Sequence, residues 1–265
     1  MSPSSVAKGG KAVYGAAVGI LMLEARFPRI PGDVGNATTW PFPVLYKVVR
    51  GASPDRVVRR RAEGLLEAFV AGGRELVAEG ADGLVTNCGF LSLFQADLAA
   101  ACGVPVATSA LMQAPVIERL LPPGKRVGIL TVSAASLEPE HLAAAGVALD
   151  TPVVGTEGGR AFSRVLLGDE LELDVAAAER DILDAGDALV ARHPEVGAVL
   201  LECTNMCPYA RAVRDRLGLP AFVISDSGHA SGARMRDYGG FGDPASPKNA
   251  LLVECGQHGE ANAAT

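Results

Sequence analysis

Two thiols occupy matching places in this chain. Cys88 ends the stretch DGLVTNC and Cys203 ends AVLLEC. A constant offset of 115 residues superposes their surroundings without a gap: Leu84 falls on Val199, Val85 on Leu200, Gly103 on Gly218 and Pro105 on Pro220. Upstream, Val18-Gly19-Ile20-Leu21 mirrors Val127-Gly128-Ile129-Leu130. Two copies of one unit can present two sulfhydryls to a shared cleft from opposite sides. That placement suits the inversion of a carbon acid. One base takes a proton from one face and an acid returns one to the other, so one sulfur acts as thiolate and the other as thiol. The developing enolate needs donors, and Asn87, the backbone N–H groups that follow each cysteine from Gly89 and Thr204 onward, and the side chains of Thr204 and Asn205 are at hand. A helix beginning after each cysteine is expected to favour thiolate and to lower the thiol pKa below about 8.5. A buried cysteine is often no more than a small hydrophobe. Cys102 and Cys207, which have no counterpart in the other half, are read that way.

Positioning these thiols requires strands that end at them. AVYGAAVGILML, DGLVTNC, VPVATSA, KRVGILTV, VALDTPVV, AVLLEC and PAFVI read as strands. Between them lie helical stretches, among them PDRVVRRRAEGLLEAFVAGGRELVAEG as one long helix capped by Ser53, SLFQADLAAACG closed by Gly103, and LDVAAAERDILDAGDALVARH. Short β-branched runs alternating with helices imply α/β architecture with mainly parallel sheets covered by helices. The duplication divides it into two pseudo-symmetric lobes with the site in the cleft between them. Lobe one is expected to hold residues 12–120 and to reclaim 220–265, and lobe two to hold 121–219, with Leu121-Pro122-Pro123-Gly124 as the clearest crossover. RFPRIPGDVGNATTWPFPV reads as a long loop after the first strand, able to cover the cleft and bring Arg26 or Arg29 to a substrate carboxylate. Packing of that loop around Trp40 without a ligand role is an equal alternative. Thr131 and Ser133, after the second GIL strand, are further donors to a carboxylate, with helix capping the alternative for Ser133.

Composition narrows the function classes. With 24 basic and 30 acidic residues the net charge is −6, which argues against a nucleic-acid partner. No apolar run reaches the ~18 residues that span a bilayer. Five cysteines, an odd number, and an apolar Ala12–Leu23 stretch followed at once by Glu24 and Arg26 point to a reduced, cytoplasmic setting. Cys203, Cys207, Cys255, His229 and His258 match no compact metal pattern, so no metal is expected. There is no phosphate loop or dinucleotide fingerprint, and no lysine in the paired motifs to carry pyridoxal phosphate, so no cofactor is expected. Symmetry statistics alone make a homodimer the default assembly.

VGILMLEARFPRIPGDVGNATTWPFPV, VTNCGFLSLFQ and LLECTNMCPYA together resemble the aspartate/glutamate/hydantoin racemase superfamily over roughly residues 14–222. The resemblance implies two flavodoxin-like lobes, cofactor-independent catalysis by Cys88 and Cys203, and a substrate-contacting role for Thr204. It departs from many amino-acid racemases of the group at Gly89 and Phe90, where Asn-Thr is usual; a phenylalanine beside the first thiol implies a larger or more apolar pocket. Relatives in the wider group isomerise maleate or decarboxylate malonates, some with one essential cysteine. The tail after Ile224 resembles instead a fragment of the succinylglutamate desuccinylase/aspartoacylase family, but that family's early His-x-x-Glu metal motif is absent from the chain. The expectation is therefore a racemase or epimerase of an amino acid or related small carboxylate, with Cys88 and Cys203 as its two bases. The alternatives are a single-thiol isomerase or decarboxylase, and an inactive or ligand-binding relative with a recombined end.

Overall fold

A computed structural model describes residues 9–224. His229, Glu254, Cys255, His258 and the rest of the tail lie outside the described residues. Each half is a four-stranded parallel sheet. In the first, the strands are β1 (Val18–Leu23), β2 (Val44–Val49), β3 (Gly83–Thr86) and β4 (Val106–Ala107), in the order β2-β1-β3-β4. In the second, β5 (Arg126–Thr131), β6 (Val153–Gly155), β7 (Val196–Leu201) and β8 (Ala221–Phe222) repeat it as β6-β5-β7-β8. β1 is buried at all six positions, as a central parallel strand covered on both faces must be.

The repeat extends to the hydrogen bonds. Asn87 N–H donates to Leu21 O at 3.0 Å, and Glu202 N–H to the equivalent Leu130 O at 2.8 Å. Leu84 N–H donates to Pro105 O at 2.9 Å, and Val199 N–H to Pro220 O at 2.8 Å. Helices α3 (Gln95–Cys102) and α8 (Ala210–Leu217) both stop at a left-handed glycine, Gly103 at φ 68° and Gly218 at φ 64°, where a side chain would be strained.

Three expectations need correction. The long helix over residues 54–80 is two helices, α1 (Pro54–Val58) and α2 (Leu66–Glu79). Arg61 and Ala62 adopt φ near +55°, Gly64 adopts +69°, and Arg56 Nη2 closes the turn on Glu63 O at 3.0 Å. The break lets α1 turn away and lay Pro54 and Val58 over the cleft. The loop after β1 runs to Pro43 much as it reads, but Val44–Val49, not read as a strand, forms an edge strand parallel to β1. Finally, the segment after Pro220 starts in lobe two, since Ala221–Phe222 pairs with β7 as Val106–Ala107 pairs with β3. Just past that strand, the Val223 carbonyl accepts from Gln113 Nε2 of lobe one at 3.0 Å. The Leu-Pro step at 219–220 marks the start of a strand, as Val-Pro does at 104–105, and not a change of lobe.

The remaining helices are α4 (Ala114–Leu120), α5 (Pro139–Ala144), α6 (Phe162–Gly168) and α7 (Val175–Arg192). α6 carries Leu166 and Leu167 to the cleft, although the Ala161 before it has no side chain to cap the helix. The buried Asp181 of α7 supplies the missing acceptor: its carboxylate receives Arg160 N–H at 2.9 Å, Ala161 N–H at 2.7 Å and Phe162 N–H at 2.9 Å. Replacing Asp181 with alanine leaves three inward-facing donors without an acceptor. The expected loss is about 3 kcal/mol in urea denaturation, and Asp181→Asn, which keeps one acceptor oxygen, should lose less.

Candidate active site

Both thiols stand at the carboxyl ends of equivalent strands, where open parallel sheets bind ligands. Cys88 precedes a 3₁₀ turn over Gly89–Phe94 and Cys203 precedes one over Thr204–Tyr209. They line one cavity together, with Asn87, Gly89, Phe90 and Asn205 among its walls. The cavity is tight, about 20 Å³, so a substrate enters by displacing side chains.

The residue before each cysteine is tied to the end of its lobe's first strand. Leu23 N–H donates to Asn87 Oδ1 at 2.8 Å, and Thr131 Oγ donates to Glu202 Oε2 at 2.7 Å. The two cysteine turns also lean directly on each other. Thr204 Oγ donates to Asn87 O at 2.6 Å. A Cβ on Gly89 would lie 2.1 Å from Glu202 Oε1 and 2.7 Å from Glu202 O. The glycine after the first thiol is therefore required by close approach of the opposite lobe, which leaves no room for a side chain.

The stretch between β1 and β2 straps the cleft from lobe one to lobe two. Asp169, in a left-handed conformation at the end of α6, accepts from the N–H groups of Arg26 at 2.6 Å and Phe27 at 3.1 Å. Trp40 pins the strap by donating from Nε1 to Val34 O at 3.1 Å. Arg29 Nη1 donates to Asp33 Oδ1 at 3.0 Å, Asn205 Nδ2 donates to Asp33 Oδ2, and the Cys203 thiol donates to Asn205 Oδ1 at 3.5 Å. The Cys203 thiol thus meets a chain of contacts that runs through Asn205 and Asp33 to Arg29.

The expected low thiol pKa is not what this arrangement produces. Burial pushes Cys88 up to about 12, the Glu202 carboxylate adds to the rise, and the facing N–H of Phe90 offsets it only in part. Cys203 is raised for the same first two reasons and also by the nearness of Cys88. The short turns contribute a few N–H dipoles, and desolvation outweighs them. Glu202 itself is driven up to about 7 by burial, against the lowering effect of the Thr131 hydrogen bond.

Of the residues singled out above, Cys88, Cys203, Asn87, Gly89, Phe90 and Asn205 come together around the cavity. Thr131 and Thr204 do not line it: their buried hydroxyls are committed to Glu202 and to Asn87 O, so they brace the walls. Phe90 packs edge-on against the buried His141, ring centroids 5.3 Å apart. Cys102 packs under α2, where its sulfur would lie 2.7 Å from a Cβ on Gly73. Among the described residues no group of three histidine, cysteine or carboxylate side chains could hold a metal ion, and no helix is long and apolar enough to cross a membrane. Sequence reasoning passed over Glu202. Its signal was a charged residue at the end of the apolar run AVLL, in the place that Asn87 takes in the other repeat.

Paired sheets of one topology, each ending at a cleft-facing thiol, define a duplicated two-lobed α/β protein. The chain belongs to the Asp/Glu/Hydantoin racemase family, whose profile matches residues 60–230. It is 26% identical to a dimethylsulfoniopropionate lyase of Durusdinium sp. clade D over 78% of this chain and 71% of that one. It is 30% identical to dimethylsulfoniopropionate lyase 5 of Emiliania huxleyi over 81% of this chain but only 45% of that longer one. Among solved structures, allantoin racemase from Klebsiella pneumoniae shares the fold with a TM-score of 0.61 at 14% identity, covering 85% of this chain and 90% of that one.

Two measurements probe this geometry. Gly89→Ala should lower activity by about 100-fold or more, because the two cysteine turns must separate by more than an ångström to admit a methyl group. Glu202→Gln should change stability in a pH-dependent way. Because the folded carboxyl titrates near 7 and its ordinary value is 4.5, the folded state holds a proton there that the unfolded state has released. Stability is then highest below about 4.5 and falls as the pH rises towards 7, by about 3 kcal/mol over that window. Urea denaturation should find Glu202→Gln close to the parent at pH 4.5 and more stable than it at pH 8.

Proposed function

We propose that this chain removes the proton α to the carboxylate of a small substrate with its paired thiols, and that the reaction is β-elimination from dimethylsulfoniopropionate or a close β-onium carboxylate. The observation that carries the proton-abstraction step is the convergence of Cys88 and Cys203 on one desolvated cavity. Arg29 Nη2 and Asn87 Nδ2 are buried without partners and belong to the same walls, available to a substrate carboxylate and to the negative charge that grows on it.

Elimination in particular is supported by the relatives, which are lyases, and by the charge state of the site. Neither thiol ionises readily where burial and Glu202 raise both, and Arg29 offsets the rise at Cys88 only in small part. A substrate that brings a fixed positive charge offsets the desolvation and draws out the thiolate beside it. Cys88 is the better base, since the Cys203 proton is held on Asn205. The Cys88 thiolate takes the α-proton. The C–H electron pair becomes the new C=C bond, the β-carbon–sulfur bond breaks with its electrons on sulfur, and acrylate and neutral dimethyl sulfide leave. The Cys88 proton then passes to solvent, and the thiol of Cys203 steadies the carboxylate-enolate from the other face.

Amino-acid racemisation is the second reading, favoured by the matched positions of the two thiols in the repeat. Proton NMR in heavy water separates the readings, with a panel of dimethylsulfoniopropionate, amino acids, hydantoins and small dicarboxylates. Acrylate formation supports elimination. Deuterium at the α-carbon of both enantiomers of an amino acid overturns it in favour of racemisation, and no exchange or product with any compound overturns both. Cys88→Ser is expected to lower elimination by about 1,000-fold or more and Cys203→Ser by less, whereas a two-base racemase loses racemisation with either change.

A further inference from the structure

Among the described residues that line the cavity, Arg29 is the one cation and Glu202 the one carboxylate. Each keeps an atom in reserve. Arg29 spends Nη1 on Asp33 and leaves Nη2 buried without a partner. Glu202 spends Oε2 on Thr131 and leaves Oε1 buried without a partner, against the α-carbon of Gly89 and so on the Cys88 side of the site. Glu202 is wholly inaccessible to solvent, and among the described residues no arginine, lysine or histidine is hydrogen-bonded or ion-paired to it. The two charged residues also differ in what surrounds them. The Arg29–Asp33 pair is close to neutral before any ligand arrives. Glu202 faces two thiols and a threonine hydroxyl, none of which can balance its charge.

An uncompensated buried carboxylate is costly to a fold unless a ligand completes it. The lobes show that the carboxylate is not needed to build the turn. At the equivalent place in lobe one, Asn87 makes the matching tie to the end of its first strand with an uncharged amide.

We propose that Glu202 is the docking group for the positively charged substituent of the substrate, an onium or ammonium centre, while Arg29 holds the carboxylate at its other end. This rests on the reading of the cavity as the site for a β-onium carboxylate and adds the residue that meets and selects the cation, Glu202. A dicarboxylate or an uncharged β-substituted acid meets a carboxylate where it needs a donor or an apolar wall, so Glu202 also rejects such ligands.

Two probes of one shape test it, with Cys88→Ser as the parent background so that neither is turned over. 3-(Trimethylammonio)propionate carries the cation, and 4,4-dimethylpentanoate puts carbon in place of nitrogen. Calorimetry on the full chain should show the cationic probe binding at least about tenfold more tightly than the neutral one, the scale of one charge-assisted contact. Glu202→Gln, close in size and able to keep the Thr131 hydrogen bond, should abolish that preference while binding the neutral probe as well as the parent does, which also shows that the variant is folded. Equal binding of the two probes by the parent, failure of either to bind, or a preference that survives Glu202→Gln overturns the proposal. The heavy-water panel keeps this failure separate from failure of the reading beneath it. Turnover of any carboxylate with no cation preference removes only the role of Glu202, and absence of turnover with every compound removes the active site as such.

Discussion

The site depends on two turns from opposite lobes being pressed backbone to backbone. Thr204 hands its hydroxyl proton to Asn87 O, and Glu202 fills the space where a side chain on Gly89 would stand. Each turn ends a buried parallel strand fixed by its neighbours, so neither can retreat without breaking sheet hydrogen bonds. A few ångströms of slack would leave two separate cysteine-bearing turns. Held together, they enclose both sulfurs, one carboxylate and two amides in a single buried space.

Dryness governs the electrostatics. A thiol at the start of a helix in water becomes easier to ionise, and these become harder, because the cost of desolvating a sulfur anion exceeds what one or two backbone dipoles return. Glu202 sharpens the effect on both. A buried carboxylate near pH 7 weakens the fold, and its retention is easiest to understand in terms of what it does for a ligand.

Much of the architecture is written in the repeat. Matched Gly, Pro and Cys positions give the strand ends, the helix stops and the facing thiols, because each reflects a local backbone need that recurs in both lobes. What escapes is set by contacts between distant segments. The turn after Val58 looks helical in sequence, and it breaks at Arg61, Ala62 and Gly64 so that α1 can reach the cleft. Val44–Val49 hides behind prolines and becomes a strand only because β1 offers it an edge. Thr131 and Thr204 have the right chemistry for a substrate, but their hydroxyls are taken by Glu202 and Asn87 O. Glu202 was visible as a charge ending an apolar run, yet its importance comes from the unpartnered oxygen that only the packed lobes reveal.

Duplication gives this fold two equivalent scaffolds, and the sequence has made them unequal where it matters. The strand ends, hydrogen bonds and sulfurs repeat, whereas the residue before the thiol is an amide in one lobe and a carboxylate in the other. A reaction that inverts a stereocentre benefits from two similar faces, because each sulfur must serve as acid and as base. A reaction that releases a neutral sulfide from a sulfonium substrate has distinct ends: one thiol removes a proton, one terminus binds a carboxylate, and the opposite charge of the substrate must be met elsewhere. Glu202 in one lobe, and the Asn205–Asp33–Arg29 contacts made to Cys203, make the two sides inequivalent in charge and in hydrogen bonding. That asymmetry, laid over a symmetric frame, is what tilts the proposed chemistry from racemisation towards elimination.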